Sequence, residues 1–116
     1  PFIPHKDTTF ANEPAGSIGM TRKLISIFRL MHPSALIPAT TALASLSSDG
    51  REQGILAGAN VVMPNLSPTS VREKYTLYNH KAAFGSEAAE GLKLLEEQLN
   101  LIGYTISKER GDYNYV

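Results

Sequence analysis

Two neighbouring threonines, Thr40 and Thr41, follow Ile37-Pro38-Ala39, and a methionine, Met63, closes the apolar run Asn60-Val-Val. Hydroxyls just past a strand end can donate to a carboxylate or a sulfur-bearing substrate, and a thioether supplies a soft apolar wall beside them. Tyr75 and Tyr78 stand three apart, so one helical face would carry both phenols toward such an opening. The plainer alternative for each is structural, because threonine suits strands and turns, and a lone methionine or a tyrosine pair usually packs.

Other chemistry-bearing residues have weaker claims. His5 lies beside Lys6 and Asp7, but one histidine does not make a metal site, and His32 and His80 have no partner at helical spacing. Arg51 and Glu52 follow Asp49-Gly50 and read as first-turn residues, with Glu52 capping and Arg51 available for a structural ion pair. Arg110-Gly111-Asp112 is a chance tripeptide. No nucleophile elbow, phosphate loop or H-E-x-x-H run is present, so hydrolase, NTPase and zinc-peptidase chemistry has no anchor.

The elements that would position these residues alternate between helix and strand. Ser17 is an N-cap for a helix over 17–31, whose stripe of Leu24, Ile27, Phe28 and Met31 is expected to pack on a sheet, and His32-Pro33 stops it. Ala35-Leu-Ile37 and Asn60-Val-Val-Met63 read as short buried strands. Between them Asp49 and Glu52 have capping-box spacing, and Gly58 suits a left-handed end to a helix over 50–57. Ser70 and Glu73 repeat that spacing ahead of a helix over 71–78. Ser86 opens an amphipathic helix with Leu92, Leu95, Leu99 and Ile102 facing in, Gly103 ends it, and Tyr104 to Ser107 is a further strand or packed extension. Pro1 to Pro4 reads as a strand end. The result is an α/β pattern whose ligand-facing residues gather at one rim, as in strand-helix barrels.

The chain has 116 residues, well short of the roughly 200 to 250 a complete eight-stranded barrel takes. A barrel reading therefore implies a fragment, the last strand-helix units with a helical cap, in which 1–80 form those units and 81–116 the C-terminal helix and extension. Eleven basic and eleven acidic residues cancel, which argues against nucleic acid and anionic membrane as partners. Apolar stretches are too short to span a bilayer, no secretory signal is evident, and a cytoplasmic location is expected. With no cysteine, disulfides and thiolate-held metals are excluded from this chain.

Ile37-Pro-Ala-Thr-Thr-Ala-Leu43, Gly50-Arg-Glu52 and Gly58-Ala-Asn-Val-Val-Met-Pro-Asn65, in that order, resemble the C-terminal part of the radical S-adenosylmethionine proteins that mature [FeFe]-hydrogenase, relatives of biotin synthase. Pro1-Phe-Ile-Pro-His-Lys-Asp-Thr8 and Val71-Arg-Glu-Lys-Tyr-Thr-Leu-Tyr78 resemble the same family on either side. The resemblance implies a partial TIM-type (β/α) barrel, an enzyme as the parent protein, and a small-molecule substrate lined by Thr40, Thr41, Met63, Tyr75 and Tyr78. It also implies S-adenosylmethionine contacts at Phe2, Ile3, Pro4 and Leu77, with His5 a lesser one. The family's 4Fe-4S cluster is held by a CxxxCxxC segment that this chain lacks, so neither cofactor is expected to bind the fragment tightly. A 5′-deoxyadenosyl radical made by the parent would abstract hydrogen from the substrate. Biotin synthase and methylornithine synthase share the architecture and stand as alternatives, as does a stand-alone interaction module that docks a partner through the helix from Ser86. A part-barrel leaves strand edges and helix faces uncovered, so the isolated chain is expected to self-associate.

Overall fold

Ser17 starts the first helix, α1 (Ile18–Met31), by accepting a hydrogen bond from the Met20 amide at 3.3 Å. The helix ends where His32 N–H donates to the Phe28 carbonyl at 2.8 Å and Pro33 prevents another turn. The computed structural model describes residues 1–72 and 88–112. Within them β1 (Pro38–Ala39), α2 (Thr41–Leu46), α3 (Gly50–Leu56), β2 (Val61–Val62), α4 (Thr69–Arg72) and α5 (Ala88–Leu101) follow in order. β1 and β2 pair in parallel, Pro38 with Val61 and Ala39 with Val62, so α2 and α3 together form the crossover. The fold class is α/β, as the alternation implies.

Several boundaries differ from the sequence expectation. β1 begins at the proline taken to end it, because a proline at the first strand position gives up no required ladder donor. Residues 1–5 carry no strand. Thr41 opens a helix rather than continuing the strand end. Asp49 occupies the N-cap of α3 without a side-chain cap bond, its carboxylate being taken by Ser47 and by Gln53 Nε2 at 2.6 Å. The second capping box also fails, since α4 starts at Thr69 and Ser70 lies inside it. Residues 73–80, most of that helix, and the boundary between 80 and 81 lie outside the described residues.

Glycine ends two helices as expected. Gly58, at φ +117°, donates to the Ile55 carbonyl while Ala59 N–H reaches the Gly54 carbonyl. Gly103, at φ +83°, repeats the pattern with Asn100, and Tyr104 N–H reaches Leu99. Both are the paired bonds that a left-handed residue after a helix makes possible.

The core consists of Ile25 from α1, Ala39 from β1, Leu43 from α2, Ile55 from α3, Ala59 from the turn before β2, and Leu95 and Leu99 from α5. Ile106 packs against it from the segment after α5, which is an extension and not a strand. Gly54 lets α3 sit on β1, since a Cβ there would stand 3.1 Å from Ala39 Cβ and 3.0 Å from Leu43 Cδ1. On α5, Leu95 and Leu99 are buried and Ile102 half-buried, whereas Leu92 is exposed.

α1 docks by a different face from the one its hydrophobic stripe suggested. Arg22 Nη1 donates to Gln53 Oε1 at 3.1 Å, Ser26 Oγ to the Ala57 carbonyl at 2.8 Å, and Arg29 Nε to the Gly58 carbonyl at 2.8 Å, with Ile25 buried between them. Leu24, Ile27, Phe28 and Met31 face outward. The Gln53 side chain and the Ala57 and Gly58 backbone carbonyls offer polar acceptors at these points, and hydrogen bonding to them decides the rotation of α1.

Candidate functional site at the strand ends

Parallel register fixes what the strand ends can share. Ala39 pairs with Val62, so the next residues, Thr40 and Met63, leave the sheet side by side at its C-terminal end. This is the rim at which parallel strand-helix units present ligand-binding residues.

Thr40 is half-buried at the N-cap of α2, with extended backbone at φ −77° and ψ 159°. Its carbonyl accepts from Leu43 N–H at 3.1 Å. Its hydroxyl makes no cap bond, and Oγ1 is shielded from solvent without a hydrogen-bond partner. A buried hydroxyl left unpaired costs about 1 to 3 kcal/mol, which makes this group a candidate contact for a polar ligand atom. Met63 is half exposed. Thr41, the first residue of α2, is half-buried beside them, and its carbonyl accepts from Ser45 Oγ at 3.1 Å. After Met63 and Pro64 the chain bends through Asn65, whose Oδ1 accepts from Ser67 N–H at 3.1 Å.

The remaining expected site residues divide into two groups. Tyr75, Leu77 and Tyr78 lie outside the described residues. Phe2, Ile3 and Pro4 belong to an irregular segment in which Phe2 stands edge-on to Phe10, ring centroids 6.3 Å apart, and Gly16 N–H donates to the Phe2 carbonyl at 2.8 Å. Glu13 and Pro14 complete the depression around those rings. His5 is satisfied locally, its Nδ1 accepting from Asp7 N–H at 3.1 Å.

Two residues matter more than the sequence suggested. Asn60 Oδ1 accepts from Ile37 N–H at 2.8 Å while Asn60 N–H donates to the Ile37 carbonyl at 2.9 Å, locking the entry of β1 to that of β2. An asparagine directly before a paired strand was the available signal. Arg51, read as a first-turn residue available for a structural ion pair, is 4% exposed and engaged. It shares a face of α3 with Gly54 and Ile55, the residues that meet the core.

A parallel strand-helix-strand unit with a hydroxyl and a thioether at its C-terminal rim is an α/β arrangement that barrels and open sheets share. No protein-family model matches the chain. It is 36% identical over 111 residues to the [FeFe] hydrogenase maturase subunit HydE of Thermotoga maritima, covering 96% of this chain and 32% of that protein. It is 31% identical over 102 residues to the 3-methylornithine synthase of Methanosarcina barkeri, covering 88% of this chain and 28% of that protein. Both similarities run along nearly the whole of this chain, which spans about a third of the length of these curated relatives.

Proposed function

We propose that this chain is the substrate-facing, C-terminal portion of a radical S-adenosylmethionine enzyme built on a TIM-type barrel, resembling the hydrogenase maturase more than the methylornithine synthase. On this reading 1–80 supply the last strand-helix units and 81–116 the closing helix and extension, in a cytoplasmic parent enzyme. The observation that carries the proposal is the parallel register of Ala39 with Val62, which sets Thr40 and Met63 next along the two chains at the rim, with the Thr40 hydroxyl buried and unpaired.

The chain does not fit the iron-sulfur cluster, because it has no cysteine to hold one. Among the described residues no group of three His, Asp or Glu could hold a metal ion either. The cluster is therefore assigned to the remaining part of the parent, Phe2, Ile3, Pro4 and Leu77 are proposed to touch S-adenosylmethionine from this side, and no step is routed through either group here. What these residues contribute is position. Thr40 donates to or accepts from a polar group of a small substrate, Met63 covers its apolar flank, and Thr41, Tyr75 and Tyr78 complete the enclosure, so that water is excluded from the reacting carbon.

Exchanging the matching 111-residue block of the Thermotoga maritima maturase for this chain tests the family assignment directly. A folded chimera that forms 5′-deoxyadenosine from S-adenosylmethionine is expected. A folded chimera with its cluster in place but no such activity would overturn the family reading. An active chimera unaffected by Thr40→Val would overturn the positioning role alone.

A further inference from the structure

The parallel pair that carries the rim is too short to fix its own register. β1 and β2 have two residues each, and Pro38, the first of β1, has no N–H to give to the ladder. A slip of one residue moves a strand by about 3.3 Å and turns its side chains to the other face. Thr40 would then stand level with Val62 or Pro64 in place of Met63.

The bonds that resist such a slip lie at the opposite end of the strands. Ile37 N–H, one residue before β1, donates to Asn60 Oδ1 at 2.8 Å. The Ile37 carbonyl accepts from Asn60 N–H at 2.9 Å and from Val61 N–H at 3.1 Å. Of these three bonds only the one to the Asn60 side chain depends on residue type, so it is the one through which the sequence selects the register. Proline sharpens the selection. A shift of one residue in one direction would set Asn60 Oδ1 against Pro38, which has nothing to donate.

We infer that Asn60 is a positioning residue for the rim site, acting through the register of β1 and β2 from three residues, or about 10 Å of strand, below Thr40 and Met63. The inference rests on the reading of that rim as a substrate site. Asn60 touches no substrate, but a misplacement of about 1 Å at a reacting centre can cost about 100-fold in rate. A loosened register therefore reaches turnover from the far end of the sheet.

Because the chain has no cysteine, Thr40→Cys combined with Met63→Cys puts its only two thiols at the rim, and air oxidation of the dilute 116-residue chain reports the register without any cofactor. An intramolecular disulfide is expected. Adding Asn60→Ala is expected to slow its formation about tenfold while helix content by circular dichroism is retained, and Asn60→Asp, which keeps the acceptor oxygen, is expected to leave it unchanged. Ser17→Ala, which removes a cap of α1 far from the strands, controls for a general loss of stability and is expected to leave the disulfide unchanged as well. In the maturase chimera without these cysteines, Asn60→Ala is expected to lower 5′-deoxyadenosine formation about tenfold or more, and Asn60→Asp to restore it. No disulfide with Asn60 in place, a disulfide formed as fast with Asn60→Ala, or a chimera whose turnover Asn60→Ala does not change would overturn the inference. A folded, cluster-loaded chimera that is inactive with Asn60 in place would overturn the family reading instead, and the disulfide would still decide whether Asn60 sets the register.

Discussion

Arg29 Nε donates to the carbonyl oxygen of Gly58 at 2.8 Å, tying the helix before the first strand to the turn before the second. The same guanidinium reaches the Pro33 carbonyl at 2.6 Å, so one side chain fixes α1, its exit and the α3–β2 turn together. Charge-assisted bonds of this kind contribute about 1.5 to 3 kcal/mol, but Nη2 is buried without a partner, which offsets part of the gain. Arg29→Ala is expected to cost about 2 kcal/mol by urea denaturation. Gly58→Ala faces both a positive φ and an Arg29 Cβ only 2.9 Å away, and is expected to cost about 1 to 2 kcal/mol. The double variant should fall short of the sum, because the two changes disturb one contact.

The bonds between Asn60 and Ile37 set the start of the parallel pair, and with it the register that brings Thr40 beside Met63. Asn60→Ala leaves the Ile37 N–H without an acceptor and is expected to cost about 1 to 2 kcal/mol, with faster hydrogen exchange at the Ile37 amide. Asn60→Asp retains an acceptor oxygen. It is expected to stay close to the parent in both measurements near neutral pH.

Asp49 accepts from the Ser47 hydroxyl and from Gln53, and these bonds hold its carboxyl below the ordinary aspartate value of 3.8. A carboxyl whose pKa is lowered by folding contributes stability above its unfolded value and loses it as pH falls through the folded one. The urea midpoint of the chain should therefore decline as the pH is taken below 3.8, and Asp49→Ala should flatten that decline. The group is fully exposed, so added salt should leave the hydrogen-bonded part of the effect and remove the small attraction from Arg22.

The local signals most legible in the sequence were those with a single physical meaning. Ser17 could cap only a helix that starts after it, and Gly58 and Gly103 supplied the left-handed residue that ends one. The alternation of elements also put Thr40 and Met63 at strand ends without any knowledge of the register. What failed involved choices made by tertiary contact. Leu24, Ile27, Phe28 and Met31 form a proper helical stripe, yet the acceptors at Gln53, Ala57 and Gly58 turned α1 the other way. Asp49 had the spacing of a capping residue, but Ser47 and Gln53 were nearer competitors for its oxygens. Arg51 could not be recognised as buried from its type, since burial there depends on the approach of α3 to β1 allowed by Gly54.

Thr40 offers the sharpest separation of structural from functional roles. In the 116-residue chain, Thr40→Val replaces an unpaired buried hydroxyl with a methyl of similar size, so stability is expected to be unchanged or raised by up to about 1 kcal/mol. Ser17→Ala is the contrasting case, because its hydroxyl does cap α1 and its loss should cost about 1 kcal/mol. In the maturase chimera the order should reverse. Thr40→Val should lower substrate-dependent product formation about tenfold or more, since a substrate polar group would then face a methyl, while Ser17→Ala should leave it unchanged at temperatures where the fold persists. A hydroxyl kept at a cost to folding and needed for turnover belongs to the ligand. If Thr40→Val instead lowers the urea midpoint of the isolated chain as Ser17→Ala does, the hydroxyl has a structural partner, and the rim loses its strongest claim to a substrate.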